Sequence, residues 1–390
     1  MGEKSSPDNP MSSGRRGPGS RPSIRDVAQL AGVSVTTVSQ ALSGKRPVKR
    51  STVGRVRRAV AELGYQPDPV AQAMITGRLS ALGLVLPDIV NPFFPLVARG
   101  AEDAAAEAGY SLIIANTDLR LDRELQCIAT LVAQRVAGIL FMPGAPEALM
   151  TMEYLRSSTV PFVLMDESLE GEAGSGVFSD NADGGYQAGR HLAGRGCRRL
   201  VYMGGPPQLP SVREREAGFA RALTETDAEL VTSRYGPYRG ESGYELTSEL
   251  LASGVEFDGL FAADDLIALG AMQALHQAGL QIPDDVAVCG FDGIAGTELW
   301  SPSLTTVVQA SYSLGTTAAG LLLRYLLDES EGIPRVVLPV SLVARASTGS
   351  SPLQFREAAP QQEPRRRGRR SQQTSGRPRP GAGRSPALAG

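Results

Sequence analysis

The sequence predicts an α/β protein in three parts: a head of three helices containing a helix-turn-helix, a linker with a short helix, and a core of parallel sheets with strands enough for two Rossmann-like halves. Three observations carry this expectation. The run from Ser23 to Leu42, SIRDVAQLAGVSVTTVSQAL, has the spacing of two short helices on a tight turn. From Ser80 onward, apolar runs of strand length alternate with helical patterns over short connections, as in parallel sheets covered by helices on both faces. Charge is divided by position: Arg15 to Arg78 carry 12 basic against 3 acidic residues, whereas Leu79 to Phe355 carry 17 against 34. Affinity for polyanions is therefore expected at the front of the chain and not in its core.

In the head, Ser23 followed by Asp26 forms a capping-box-like start, so a helix is expected from Ile24. Ile24, Val27, Ala28 and Ala31 share one face, and Gly32 supplies the left-handed backbone that ends the helix. Ser34 can cap a second helix with an apolar face of Val35, Val38, Ala41 and Leu42, leaving Thr36, Thr37, Ser39 and Gln40 outward. Such an outer face suits the major groove, because Gln pairs bidentately with adenine and Thr can place its methyl on thymine; the alternative is an ordinary solvated helical hairpin. Lys45, Arg46, Lys49 and Arg50 follow in a loop. Arg55, Arg57 and Arg58 then ride on a third helix with the apolar stripe Val53, Val56, Val60 and Leu63, ended by Gly64. This concentration of cations makes a DNA duplex the expected partner.

Residues 1–21 lack apolar content and are expected to be disordered. Residues 22–66 form the head, and 67–78 a linker in which Pro69 can start a short helix from Val70 to Ile75. The core, residues 79–355, begins with the buried strand ALGLVLP. A helix follows from Phe94 to Ala108, then the strand YSLIIA, a helix from Asp122 to Arg135, and the strands AGILFMP, VPFVLMD and GSGVFSD. After a helix ending at Gly194 the alternation restarts with RRLVYMGG, Val212 to Thr224, Glu229 to Arg234, Ser242 to Ala252, FDGLFAAD, Ile267 to Ala278 and DVAVCGFD. These strands suffice for two Rossmann-like halves, and ligands of such sheets bind beyond the strand carboxyl ends. The basic tail, 356–390, is expected to be disordered, serving either as auxiliary phosphate attraction or as a solubilising extension, and it lacks the apolar heptads of a tetramerising coiled coil.

The head run, the segments TVGRVRRAVAELGYQPDPVAQAM, LVAQRVAGIL and ALGAMQALHQAGL, and the phrases GFDG and SLTTVVQ together resemble the LacI/GalR family of bacterial transcriptional repressors over about residues 22–347. The resemblance implies a periplasmic-binding-protein-like core crossed three times by the chain, a small molecule between its lobes, and a homodimer on a pseudo-palindromic operator. It implies DNA contacts from Ser34, Val35, Thr36, Thr37, Ser39 and Gln40, with Lys45, Arg46, Lys49, Arg50 and Arg55 on phosphates. It also implies a hinge helix whose Met74, where the family usually has Leu, wedges into the minor groove. Gln40 replaces a common Arg, so adenine is expected at that base position rather than guanine.

Strand ends gather the candidate ligand contacts: Asn91-Pro92-Phe93-Phe94, Asn116, Asp166, Asp264-Asp265 and Phe291-Asp292. Carboxylates accept from vicinal hydroxyls and aromatic faces cover a sugar ring, so a carbohydrate effector is expected, with a purine or nucleoside as the alternative. The resemblance places Arg215 and Asp292 in the pocket, Asp264 where many members have Asn, and Tyr238 near a position often aromatic. Arg215 and Asp292 are alternatively a structural ion pair, Phe93 and Phe94 alternatively core, and Asp265, Asp284 and Asp285 read as caps or turns. His191 and His276 read as structural, and Cys127, Cys197 and Cys289 as reduced packing thiols. No cofactor or metal is expected. The motifs of nucleotide binding, zinc peptidases and serine hydrolases are missing, which disfavours an enzyme. A transport solute-binding protein would need an export signal and no basic head. The apolar content shows neither a signal peptide nor a membrane span, so a cytoplasmic protein is expected.

Overall fold

A computed structural model describes residues 22–43, 48–65, 79–145, 149–168, 175–328 and 332–349. The expected N- and C-terminal disorder, the hinge helix with Met74, and the loop cations Lys45 and Arg46 lie outside the described residues.

Helices α1 (Ile24–Ala31), α2 (Val35–Ser43) and α3 (Arg50–Leu63) build the head. The Ser23 amide donates to the Asp26 carboxylate at 2.7 Å, closing the start of α1, and Gly32 at φ 62° ends it as expected. Ser34 caps α2, its hydroxyl accepting from the Thr37 amide at 3.1 Å. Val27, Ala28, Ala31, Val38, Val56 and Ala59 form the head's small core. Val35 departs from the expected inner face: it is 39% exposed, because the first turn of α2 projects beyond the packing of α1 and α3.

The core contains two sheets of the same strand order. In the first lobe β1 (Ala81–Leu86), β2 (Ser111–Asn116), β3 (Gly138–Phe141), β4 (Phe162–Met165), β5 (Gly176–Ser179) and β11 (Arg335–Leu338) run in the order β11-β5-β4-β3-β1-β2, all parallel. In the second, β6 (Arg199–Gly204), β7 (Glu229–Tyr235), β8 (Gly259–Ala262), β9 (Ala287–Asp292), β10 (Thr305–Val308) and β12 (Ser341–Val343) run β12-β10-β9-β8-β6-β7, with only β12 antiparallel. The chain crosses between lobes after β5, after β10 and after β11. Because strand order reverses beside the first strand of each sheet, both lobes present their carboxyl ends to a crevice of the kind that binds ligands.

The lobe helices are α4 (Phe93–Glu107), α5 (Leu121–Ala133), α6 (Leu149–Ser157) and α11 (Ser311–Leu327) on the first, and α7 (Asn181–Gly194), α8 (Pro210–Leu223), α9 (Gly240–Ala252) and α10 (Asp265–Gln277) on the second. Helix α7, expected from the sequence to end at Gly194, starts at Asn181, since the Asp180 carboxylate accepts from the Asp183 amide at 3.0 Å. Strands β10, β11 and β12 and helices α6 and α11 were not expected as elements. Helix α11 escapes a periodicity search because it is apolar over most of its surface and buried by its return to the first lobe beside α4.

Three helix pairs approach closely through glycines on both partners. A Cβ at Gly185 on α7 would overlap the Arg215 carbonyl oxygen of α8, and one at Gly218 would overlap that of Ala182. Gly100 and Gly315 do the same for α4 and α11, and Gly243 and Gly270 for α9 and α10. Backbone meets backbone at these crossings, so no side chain can rearrange to admit a methyl group. In thermal denaturation, Gly185→Ala is expected to destabilise the core by about 1–3 kcal/mol. Gly194→Ala, in the same helix with open space around it, should be neutral or stabilise by about 0.4–1 kcal/mol; equal effects at both positions would contradict the role given to the crossing.

Candidate functional site

The first candidate surface is the outer face of the head. Thr36 and Val35 are exposed, and Ser39 and Gln40 half-exposed, on one side of α2. Ser34 and Thr37 face the same way but bond each other, hydroxyl to hydroxyl at 2.8 Å, so both are tied to the cap. Lys49, Arg50 and Arg55 are exposed around the start of α3. This arrangement offers an amide, hydroxyls and methyls to a groove, with free cations at the flank.

The second is a cleft between the lobes, lined by Asn91, Phe93, Phe94, Asp166 and Glu167 from the first and Ser211, Arg215, Tyr238, Asp264, Asp292 and Gln309 from the second. It opens to solvent and adjoins a further hollow that shares Asn91, Phe94, Asp166, Glu167 and Tyr238. Phe93 and Phe94 open α4, because the Asn91 side chain accepts from the Phe93 amide at 3.0 Å; their rings meet edge to face at 5.2 Å. Phe93 is buried, Phe94 half-buried, and both reach the cleft, so the core and ligand readings are compatible.

Arg215, on α8, is 4% exposed. Its Nε donates to Asn181 Oδ1 at 2.9 Å, its Nη1 to the Ala263 carbonyl at 2.5 Å, and its plane lies 3.8 Å from the centroid of Phe291. Asp292 approaches it at 3.7 Å, so the pair is a buried ion pair and part of the cleft lining at once. Burial works against the Arg215 charge, but the surrounding Tyr238, Asp292 and Asp166 outweigh it and hold the guanidinium charged. Asp166 and Asp292 end β4 and β9, the fourth strand of each lobe, and both take left-handed backbone, φ 66° and 103°. Strain of that kind, of order 1–3 kcal/mol at a non-glycine residue, gathers at ligand sites.

Among the described residues, two side-chain pairs join the lobes across the cleft through three hydrogen bonds. Asn91 Nδ2 donates to Asp264 Oδ2 at 3.0 Å, and the Ser211 amide and hydroxyl both donate to the Glu167 carboxylate, the amide at 3.1 Å. Asp264 also caps α10, accepting from the Leu266 and Ile267 amides at 2.6 and 3.1 Å. The cap expected of its neighbour Asp265 therefore belongs to Asp264. Asp265 is fully buried and accepts from Thr306 Oγ1 at 2.6 Å and the Ile294 amide at 2.8 Å, a tie between β9, β10 and α10. Burial pushes Asp166 up to about 6, Glu167 up to about 8 with the charge of Asp166 adding to it, and Asp292 well above the carboxylate range.

Asn116 is the one candidate that lies away from this lining. Its Oδ1 accepts from the Ile89 amide at 2.7 Å and its amide group donates to Asp118 at 2.5 Å, which fixes the loop after β1. Conversely, Glu167, Ser211, Gln309 and Asn181 were not singled out from sequence. Glu167 could have been found as a second acid beyond a strand end; Gln309 closes the phrase SLTTVVQ, which was used for the resemblance but not read as a strand with a site residue at its end. His191 pairs with Thr348 at 2.8 Å, as a structural residue would. Among the described residues no group of three or more metal-ligating side chains converges, and no helix is long and apolar enough to cross a membrane.

Comparison with known proteins places both surfaces in one context. Residues 23–68 match the family described as bacterial regulatory proteins, lacI family, and residues 190–348 match a periplasmic binding protein-like domain. The chain is 35% identical over 326 residues to the ribose operon repressor of Halalkalibacterium halodurans, covering 83% of this chain and 96% of the relative. It is 33% identical to the transcriptional repressor PurR of Yersinia enterocolitica, covering 84% and 97%. A lac repressor dimer bound to operator and the anti-inducer ONPF superimposes with a TM-score of 0.74 at 28% identity, over 84% of this chain and 99% of that one. A LacI family regulator from Enterococcus faecium with bound ribose superimposes with a TM-score of 0.61 at 30% identity, over 70% and 100%. These relatives are transcriptional regulators and not enzymes, and with a helix-turn-helix head and a periplasmic-binding-protein-like core the chain belongs to the LacI family of bacterial transcriptional regulators.

Proposed function

We propose that this chain is a ligand-responsive repressor that holds a pseudo-palindromic operator as a homodimer and binds a small carbohydrate between its lobes. The observation that carries the effector half is a set of buried polar atoms on one cleft: Asp166 Oδ1, Gln309 Oε1 and the Tyr238 hydroxyl have no hydrogen-bond partner among the described residues. Each such atom costs about 1–3 kcal/mol when left unanswered, and a hydroxyl-rich ligand answers all three. Aromatic Phe94 and Tyr238 can cover its apolar faces. The ribose named for two of the relatives supports a monosaccharide of about that size.

The bonds that join the lobes supply a route for response. A ligand that displaces or reinforces the Asn91–Asp264 and Glu167–Ser211 contacts binds open and closed lobes unequally, and only such a difference shifts a conformational equilibrium. In this reading the head (22–66) reads bases through Thr36, Ser39 and Gln40, with Ser34, Val35 and Thr37 beside them. Lys45, Arg46, Lys49, Arg50 and Arg55 sit on phosphates. Residues 67–78, with Met74, transmit the state of the core (79–355) to the DNA. A solute-binding protein of a transport system would share the core, but the match of residues 23–68 to the lacI family speaks against it.

Two expected outcomes test these assignments separately. Asp166→Asn suits the left-handed backbone at that site and should weaken sugar binding at least tenfold by titration calorimetry while operator affinity without sugar stays unchanged. A loss of both would place Asp166 in the general stability of the core. On the DNA side, Gln40→Ala should cost about 1–3 kcal/mol on the preferred operator and relax the choice of one base pair per half-site. Arg55→Ala should instead weaken all sequences alike and lower the salt slope by about one. In a binding-site selection, guanine rather than adenine opposite Gln40 would contradict the assignment.

A further inference from the structure

The cleft has an unequal charge balance. Its lining holds four carboxyl groups, Asp166, Glu167, Asp264 and Asp292, and one cation, Arg215. That cation is already engaged by Asn181, the Ala263 carbonyl and the Phe291 face, and it pairs with Asp292 at 3.7 Å. Two of the three unanswered atoms, Asp166 Oδ1 and Gln309 Oε1, are acceptors, and Gln309 is itself 4% exposed, with its amide nitrogen on Asp292 Oδ1 at 2.6 Å. The site therefore asks its ligand for protons and positive charge.

Resting on the carbohydrate reading above, we propose that the effector carries a protonated amine among its hydroxyls, an amino sugar or aminated polyol, recognised by Asp264, Asp292 and Asp166. A phosphate or carboxylate would bring only acceptors into a site rich in acceptors and carboxyls, and is excluded. An ammonium group brings three donors and one charge. Burial raises Asp264, but two α10 amides and Asn91 donate to its carboxylate and offset part of that cost. Asp292 lines the same cleft, close enough to Asp264 for their charges to act on each other. Burial and then the neighbouring Asp264 raise Asp292, so without a ligand the pair keeps a proton. An ammonium supplies the countercharge that lets both ionise.

The test is titration calorimetry on the full-length protein with glucose, galactose and mannose, each beside its 2-amino-2-deoxy form and its 6-phosphate, and ribose beside ribose 5-phosphate. The amino form of at least one sugar should bind at least tenfold more tightly than its hydroxyl counterpart, and no phosphate should bind. Asp264→Asn keeps a competent helix cap; it should lower affinity for that amino sugar at least tenfold and erase most of its preference over the neutral sugar. A neutral sugar that binds as tightly as its amino form, a phosphate that binds, or an Asp264→Asn protein with unaltered preference overturns this proposal and leaves the carbohydrate reading standing. A panel in which nothing binds overturns both.

Discussion

The guanidinium of Arg215 lies where α7, α8 and the ends of β8 and β9 meet, and the second lobe's share of the cleft is arranged around it. Removing a charged group from water costs several kcal/mol unless its donors are answered. Here the Asn181 amide oxygen and the Ala263 carbonyl take its hydrogen bonds, while Asp292 adds its charge from 3.7 Å. The carboxyl groups are thus not consumed by the cation they surround and remain directed to whatever enters the cleft. The glycine crossing of α7 and α8 serves the same end: Gly185 rests on the backbone of Arg215 itself, so the helix carrying Asn181 and the helix carrying the guanidinium keep a fixed spacing.

Around this fixed half, the contacts that close the cleft are few. Asn91 with Asp264, and Glu167 with Ser211, span the lobes directly, and three passages of chain connect them. Each direct contact includes a buried carboxyl group, and burial raises both Asp264 and Glu167, Glu167 to about 8. Contacts of this kind are sensitive to the charge and hydrogen-bonding capacity of a bound molecule. They form a closure whose free energy a small ligand can change by the 1–3 kcal/mol typical of coupling between sites.

Much of this was legible in the sequence, for physical reasons. The capping box at Ser23, the left-handed turn at Gly32 and the Ser34 cap are local, and short-range rules recover them. The strands before Asp292 read clearly because buried parallel strands are continuous apolar runs. What failed to read was non-local. Helix α11 is apolar on most sides and returns to a lobe that the chain left more than a hundred residues earlier, and the short strands β10 to β12 have no pattern without their neighbours. Gln309 was lost with β10. Asn116 was placed in the cleft because it ends a strand, but β2 is an edge strand beyond β1 and its end lies off the crevice. Asp264 took the cap expected of Asp265 while keeping its place on the cleft, because which of two adjacent acids caps a helix depends on a one-residue register that composition does not fix.

The central claim is that occupancy of the interlobe cleft and the grip of the head on DNA are one coupled equilibrium. Linkage makes it measurable from either side: the affinity of the effector is determined by titration with and without saturating operator duplex, and the affinity for operator with and without saturating effector. The account expects the two ratios to be equal and to differ from one by at least fivefold. An effector whose affinity is the same with and without operator would contradict it.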